Sequence, residues 1–180
     1  MNKYKIIALI GKSGAGKDSM MKEVLKKEPG LNKIINCTTR PPREYEKDGI
    51  DYFFLSEEDF AKEVLNFNMI EATLKKWLYG TTINALDKTV VNIGVFNPDG
   101  IDALLEDPRL EVKVFYINVS GKERLIRQLN REENPDIEEI FRRYKADEDD
   151  FYNLDFDYTE LKNETDLDFL NSVEIICSSI

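Results

Sequence analysis

The sequence predicts an α/β fold, with a central, mostly parallel sheet covered by helices in a three-layer arrangement. Three observations carry this expectation. Strand-like and helix-like segments alternate at both ends of the chain, as parallel strands joined by crossovers require. The apolar run Ile6–Ile10 leads directly into the glycine-rich stretch Gly11–Gly16 and then into a helical pattern. The runs Thr89–Phe96 and Val112–Val119 are rich in Val, Ile and Phe, the residue types that suit buried strands.

Taken in order, Ile6–Ile10 reads as a buried strand and Asp18–Lys27 as a helix with Met21, Val24 and Leu25 on one face. Asn32–Cys37 reads as a short strand entering a charged loop, and Tyr52–Leu55 as a second one. Ser56, with Asp59 three residues on, opens a helix expected to run to about Asn66. The middle third is less regular and reads as an insertion over the edge of the sheet. Ser120 and Glu123 have capping-box spacing for the helix that follows them. Ile137, Ile140, Phe141 and Tyr144 mark one face of another helix. Tyr158–Lys162 is a late strand, and Thr165 with Asp168 caps a last helix.

Bulk properties narrow the chemistry. The 180 residues, 42% hydrophobic and 33% charged, suit one globular domain rather than a disordered chain. A formal charge of −10 repels a polyanion, so nucleic acid is not an expected partner. Ile6–Ile10 is too short to span a membrane and no signal peptide follows it, so a cytoplasmic location is expected. Cys37 and Cys177 fit no metal-ligand spacing, and the absence of histidine excludes His-based triads and His-ligated metals. What remains is chemistry that runs on charge and positioning.

The stretch Gly11-Lys12-Ser13-Gly14-Ala15-Gly16-Lys17-Asp18-Ser19 satisfies the pattern G-x-x-x-x-G-K through Gly11, Gly16 and Lys17. Glycines let backbone N–H groups converge on phosphate oxygens, and the following helix adds positive potential at its N-terminus. Lys17 is placed to reach the β- and γ-phosphates. A glycine-rich turn with a surface lysine is the plainer alternative; the order strand, loop, helix argues against it. Where Ser or Thr usually offers a hydroxyl to Mg²⁺, this chain has Asp18, then Ser19. A carboxylate can ligate or hydrogen-bond to hydrated Mg²⁺; the competing reading is a carboxylate in the favourable first turn of a helix.

Downstream, Thr38-Thr39-Arg40-Pro41-Pro42-Arg43 is followed by Glu46, Gly49, Asp51, Tyr52 and Phe54, then by Glu71 and Tyr79-Gly80-Thr81. Two arginines three apart in a proline-stiffened loop can clamp one phosphate with their planar forks. This long, ordered set resembles the signature of guanylate kinase, and with the glycine-rich loop and the C-terminal portion the resemblance covers nearly the whole chain. It implies a P-loop NTPase fold with a small NMP-binding insertion and a helical lid. Within one domain over 1–180, the core would be about 1–32, 89–130 and 144–180, the NMP-binding region about 33–88 and the lid about 131–143.

The resemblance further implies ATP-dependent phosphorylation of GMP or dGMP. ATP would be held by Gly11, Ser13, Gly14, Ala15, Gly16, Lys17, Asp18, Ser19 and Asn163, with Mg²⁺ at Asp18. The acceptor monophosphate would lie among Asn36, Arg40, Arg43, Tyr52, Glu71, Tyr79, Gly80 and Thr81. Lys17, Arg40, Arg131 and Arg143 would act on the transferring group, Arg131 from the lid. A carboxylate at Glu71 suits the adjacent N1–H and N2–H₂ donors of guanine. The chain departs from the family at Asn36, where serine is usual, at Tyr45, and at Asn92 and Gly94, where two aspartates are usual. Those departures keep two alternatives open: another nucleoside monophosphate as acceptor, and a non-catalytic binding module of the same fold.

Overall fold

The computed structural model describes residues 3–42, 44, 46–65, 69–74, 77–131 and 133–180, with backbone alone at 65 and 70–74. The chain begins with β1 (Tyr4–Ile10), α1 (Lys17–Lys27), β2 (Asn32–Lys33), β3 (Cys37–Thr38), β4 (Phe53–Phe54), α2 (Glu57–Leu65), β5 (Met69–Leu74) and β6 (Leu78–Thr82). It continues with β7 (Val91–Val95), α3 (Pro98–Glu106), β8 (Leu110–Asn118), α4 (Gly121–Leu129), α5 (Ile137–Asp150), β9 (Thr159–Lys162) and α6 (Asp166–Cys177).

A five-stranded sheet has the order β2-β7-β1-β8-β9 and is parallel where β2 meets β7 and β8 meets β9. Parallel neighbours cannot be joined by a hairpin, so helices carry the chain between them. Residues Ile6–Ile10 of β1 are all buried, which is why this strand reads as an unbroken apolar run rather than an alternating one. A second, four-stranded sheet has the order β4-β3-β6-β5.

The chain forms two compact units. One comprises Met1–Ile7, Gly30–Gly94 and Asp99–Lys113, and its core includes Ile34, Phe60, Ile93, Ile101 and Leu104. Here the expected strand Asn32–Cys37 splits in two. Ile34 N–H donates to the Ile93 carbonyl, whereas the Asn36 carbonyl accepts from Phe53 N–H, so the backbone changes partner, and sheet, between them. The irregular middle third contains an antiparallel pair, β5 with β6, whose register shifts between Met69 and Glu71. A mid-strand glycine, Gly80, and the bulge obscure the alternation that would have revealed it. Helix α3, not among the elements expected from the sequence, has Pro98 at its first position, where proline's missing N–H does no harm.

The other unit comprises Ala8–Pro29, Val95–Pro98 and Val114–Ile180. Helix α6 packs on α1 and β9 around Met20, Val24, Leu161, Val173 and Ile176. Thr165 and Asp168 complete a reciprocal capping box at the start of α6. At α4 the box is only half made. The Ser120 hydroxyl accepts from Glu123 N–H, while Ser120 N–H donates to Glu164, because the Glu123 carboxylate is drawn to Arg127 one turn on, at 2.9 Å. Of the face expected to be buried on α5, only Ile140 is; Phe141 remains 61% exposed and Ile137 44%. The fourth residue of that face, Tyr144, is half-buried on the side of α5 that meets α4, its ring 4.8 Å from the Arg124 guanidinium.

Candidate active site

The loop between β1 and α1 is shaped by two glycines with left-handed backbones, Gly14 at φ 82° and Gly16 at φ 88°. Neither has room for a side chain. A Cβ on Gly14 would lie 2.6 Å from the Arg124 carbonyl oxygen, and one on Gly16 would lie 2.7 Å from Asn163 Nδ2. Gly16 is also the N-cap of α1 and provides no side-chain acceptor, so the first-turn N–H groups face outward without a capping side chain.

Lys17 folds back over the loop, its Nζ donating to the Gly11 carbonyl at 2.5 Å and to that of Lys12 at 3.4 Å. Burial pushes its pKa down from the usual lysine value, against the pull of Asp18 and Asp147. Ser13 is held on all its polar groups: its N–H donates to Asp147 Oδ2 at 2.7 Å and its hydroxyl to Oδ1 at 3.3 Å. Its carbonyl accepts from Arg124 Nη1 and Gln128 Nε2. Asn163, 5% exposed, donates through Nδ2 to the Ala15 carbonyl at 2.8 Å. Beside Gly16 and Asn163 opens a cavity of about 650 Å³, lined also by Ser19, Arg127, Thr165 and Phe169, within the size range of small-molecule sites.

Asp18 and Ser19 are exposed on the first turn of α1. No group of three or more acidic or thiol ligands is assembled among the described residues. One carboxylate and one hydroxyl beside a phosphate-shaped loop nevertheless fit Mg²⁺, which keeps several waters and draws its other ligands from substrate phosphates. Arg143, four residues before Asp147 on α5, is half-buried and donates through Nε to Glu139 at 2.7 Å. Glu139 also holds Arg142, and these two guanidinium groups, Arg142 foremost, bring its carboxyl down to about 2. Arg131 is exposed just beyond the end of α4.

In the other unit, Arg40 is paired with Glu46, its Nη2 donating to both carboxylate oxygens at 2.8 Å. Its guanidinium lies 5.6 Å from the Tyr52 ring and 5.7 Å from that of Phe54, and Tyr52 meets Tyr79 edge-on. The structure therefore brings Arg40, Tyr52 and Tyr79 into one cluster, with the Glu46 carboxylate on the guanidinium. Asn36 Oδ1 accepts from the Thr81 hydroxyl at 3.0 Å, and Thr81 stands opposite Glu71 in the β5–β6 ladder, beside Gly80. Arg43, Tyr45 and the Glu71 side chain lie outside the described residues.

Asn92 has a firm structural role. Fully buried, it accepts through Oδ1 from Asp87 N–H and Asn32 Nδ2, both at 2.7 Å, and donates through Nδ2 to the carbonyls of Lys5 and Asp87. An aspartate cannot make the last two bonds. The groups that sequence reasoning passed over are Asp147 and Glu148. They sit in an acidic run that looks like solvated helix surface, and their only signal was spacing, four and five residues beyond Arg143.

The family model described as guanylate kinase matches residues 3–176. The chain is 46% identical to the guanylate kinase of Thermotoga maritima over 80 residues, which is 44% of this chain and 39% of that protein. It is 34% identical to the Malacoplasma penetrans guanylate kinase over 152 residues, covering 79% of this chain and 69% of that one. A crystal structure of guanylate kinase from Anaplasma phagocytophilum superposes with a TM-score of 0.71 over 99% of this chain and 85% of its own, at 20% identity. That likeness bears out the α/β P-loop NTPase fold expected from the sequence. Taken with the match over residues 3–176, it means that the chain belongs to the guanylate kinase family.

Proposed function

We infer that the protein transfers the γ-phosphoryl group of ATP to the phosphate of GMP or dGMP, yielding ADP and the corresponding diphosphate. The bond from the γ-phosphorus to the bridging oxygen breaks, and one to an acceptor phosphate oxygen forms. Such a transfer needs positioned charge more than acid–base groups. The observation that carries the reading is the Gly14/Gly16 loop with Lys17 folded over it, in a chain matched by the family from residue 3 to 176.

In this reading Gly11 to Ser19 hold the ATP phosphates and Lys17 neutralises charge on the transferring group. Asn163 supports the loop beside the cavity that takes the nucleoside. Asp18 and Ser19 hold Mg²⁺, which when bound offsets phosphate charge. Arg40, with Arg43, Tyr52 and Tyr79, binds the acceptor phosphate, so Glu46 occupies Arg40 only until that phosphate arrives. Glu71, Asn36, Gly80 and Thr81 line the base site, and Arg131 and Arg143 serve the transfer. The division into core, NMP-binding region and lid, and a cytoplasmic location, belong to the same proposal. No described helix is long and apolar enough to cross a membrane.

The test is ADP release from Mg-ATP with a panel of nucleoside monophosphates, alongside Lys17→Ala. GMP and dGMP should turn over in preference to AMP, CMP and UMP, and Lys17→Ala should lower kcat by about 10²-fold or more. No turnover with any monophosphate would refute the reading, and failure to bind ATP in calorimetry would favour a binding module; preference for a different base would move the acceptor.

A further inference from the structure

The acidic pair Asp147–Glu148 takes up the donors that flank the glycine-rich loop. Asp147 accepts from the N–H and hydroxyl of Ser13, at 2.7 and 3.3 Å, and from Arg124 Nη1 at 3.4 Å. Glu148 accepts from Lys12 Nζ at 2.7 Å and from Arg124 Nη2 at 3.4 Å. A backbone amide, a hydroxyl, an ammonium and a guanidinium thus converge on two carboxylates of the same chain. That donor set is the one proteins use to hold phosphate. Arg124 is 3% exposed, and its Nε is buried with no hydrogen-bond partner among the described residues, so this cation has donor capacity beyond what the carboxylates use.

Asp147 is not settled comfortably there. Burial pushes its carboxyl up from the ordinary value, against the opposing effects of Ser13, Lys17 and Arg124. The charged groups around it are Lys17 from α1, Arg124 from α4 and its own neighbour Glu148, which is paired with Lys12 of the loop.

We propose that Asp147, assisted by Glu148, is an internal counter-anion of the phosphate loop and sets its affinity for the donor triphosphate. The proposal rests on the reading of this loop as the ATP site. An incoming triphosphate meets a like charge bonded to the loop itself, and the donors of Ser13, Arg124 and Lys12 become available only as the carboxylates release them. The carboxylate therefore weakens binding of polyphosphates in general, with or without a nucleoside. While the loop is empty, it keeps the buried Arg124 paired.

Calorimetry on the intact protein with ATP, and separately with inorganic tripolyphosphate, tests this. Asp147→Asn keeps the side-chain shape and an acceptor for Ser13 N–H while removing the charge. It should tighten binding of both ligands by about tenfold, a free-energy change of about 1.4 kcal/mol, and leave GMP affinity within about twofold. The advantage should shrink as pH falls, because protonating Asp147 in the wild type does what the substitution does. Asp147→Ser gives the same reading should the asparagine variant melt abnormally. Unchanged or weaker tripolyphosphate binding in a folded variant overturns the proposal. If the wild type turns over GMP with ATP while Asp147→Asn binds as the wild type does, only this inference fails. A wild type that binds neither ATP nor tripolyphosphate removes the donor-site reading with it.

Discussion

Replacing Asn92 by aspartate restores the residue type usual in the family, and in this protein it should be destructive. Asn92 is 0% exposed and donates to the Lys5 carbonyl at 3.0 Å and the Asp87 carbonyl at 2.8 Å. A carboxylate there faces two oxygens in place of donating to them. Leaving a buried acceptor unsatisfied costs about 1–3 kcal/mol, so two set the penalty at about 2–6 kcal/mol. The carboxylate keeps the Asn32 and Asp87 donors, which places the estimate near 3 kcal/mol. For a chain of this size, that is a fall in Tm of about 6–12 °C. The loss should depend on pH. Burial without added cations raises the pKa of the new carboxyl in the folded state, so the charge-related penalty is absent below the unfolded value, near ~4. It grows as pH rises through that value and levels off above the folded one. Thermal melts of both proteins between about pH 4 and 8 would measure it. A variant melting within about 2 °C of the wild type at neutral pH, or tracking it in parallel across the range, would refute the reasoning.

Arg40→Ala should raise KM for GMP by about 100-fold, the loss expected when a charge-assisted, bidentate phosphate contact of about 3 kcal/mol goes, with KM for ATP little changed; steady-state kinetics with each substrate varied in turn would show the split. Thr165→Ala removes half of the capping box that opens α6 and should cost about 1 kcal/mol, read as a fall in Tm of about 2–4 °C by circular dichroism.

Both halves of the candidate chemistry hold a carboxylate where phosphate is expected to bind: Glu46 on Arg40, and Asp147 on Ser13. Cationic groups gathered for an anionic substrate must be paired when the substrate is away, because an uncompensated buried charge is costly. The two acids differ in their setting. Glu46 takes both of its bonds from one guanidinium nitrogen, Arg40 Nη2, whereas Asp147 is bonded to the backbone N–H and hydroxyl of Ser13 in the loop itself as well as to Arg124.

The strand-loop-helix at the start of the chain, the strands Val91–Val95 and Leu110–Asn118, and the caps at Ser120 and Thr165 are legible in the order of residues alone. These depend on neighbours within a few residues, through glycine backbone freedom, apolar runs and side-chain caps, so local pattern suffices. The family was legible as well, because its signature is an ordered string of residue types. The folded chain adds where Asn32–Cys37 divides between two sheets, that β5 and β6 pair, and that Phe141 faces outward while Tyr144 faces Arg124. It alone revealed that Asn92 is a buried hydrogen-bond hub and that Asp147, 134 residues from Ser13 in sequence, closes on the loop. Such contacts join residues far apart along the chain, and the side-chain chemistry of an acidic helical run is the same whether it faces water or a loop amide. Burial and partner are set by packing, and packing is decided by the whole chain at once.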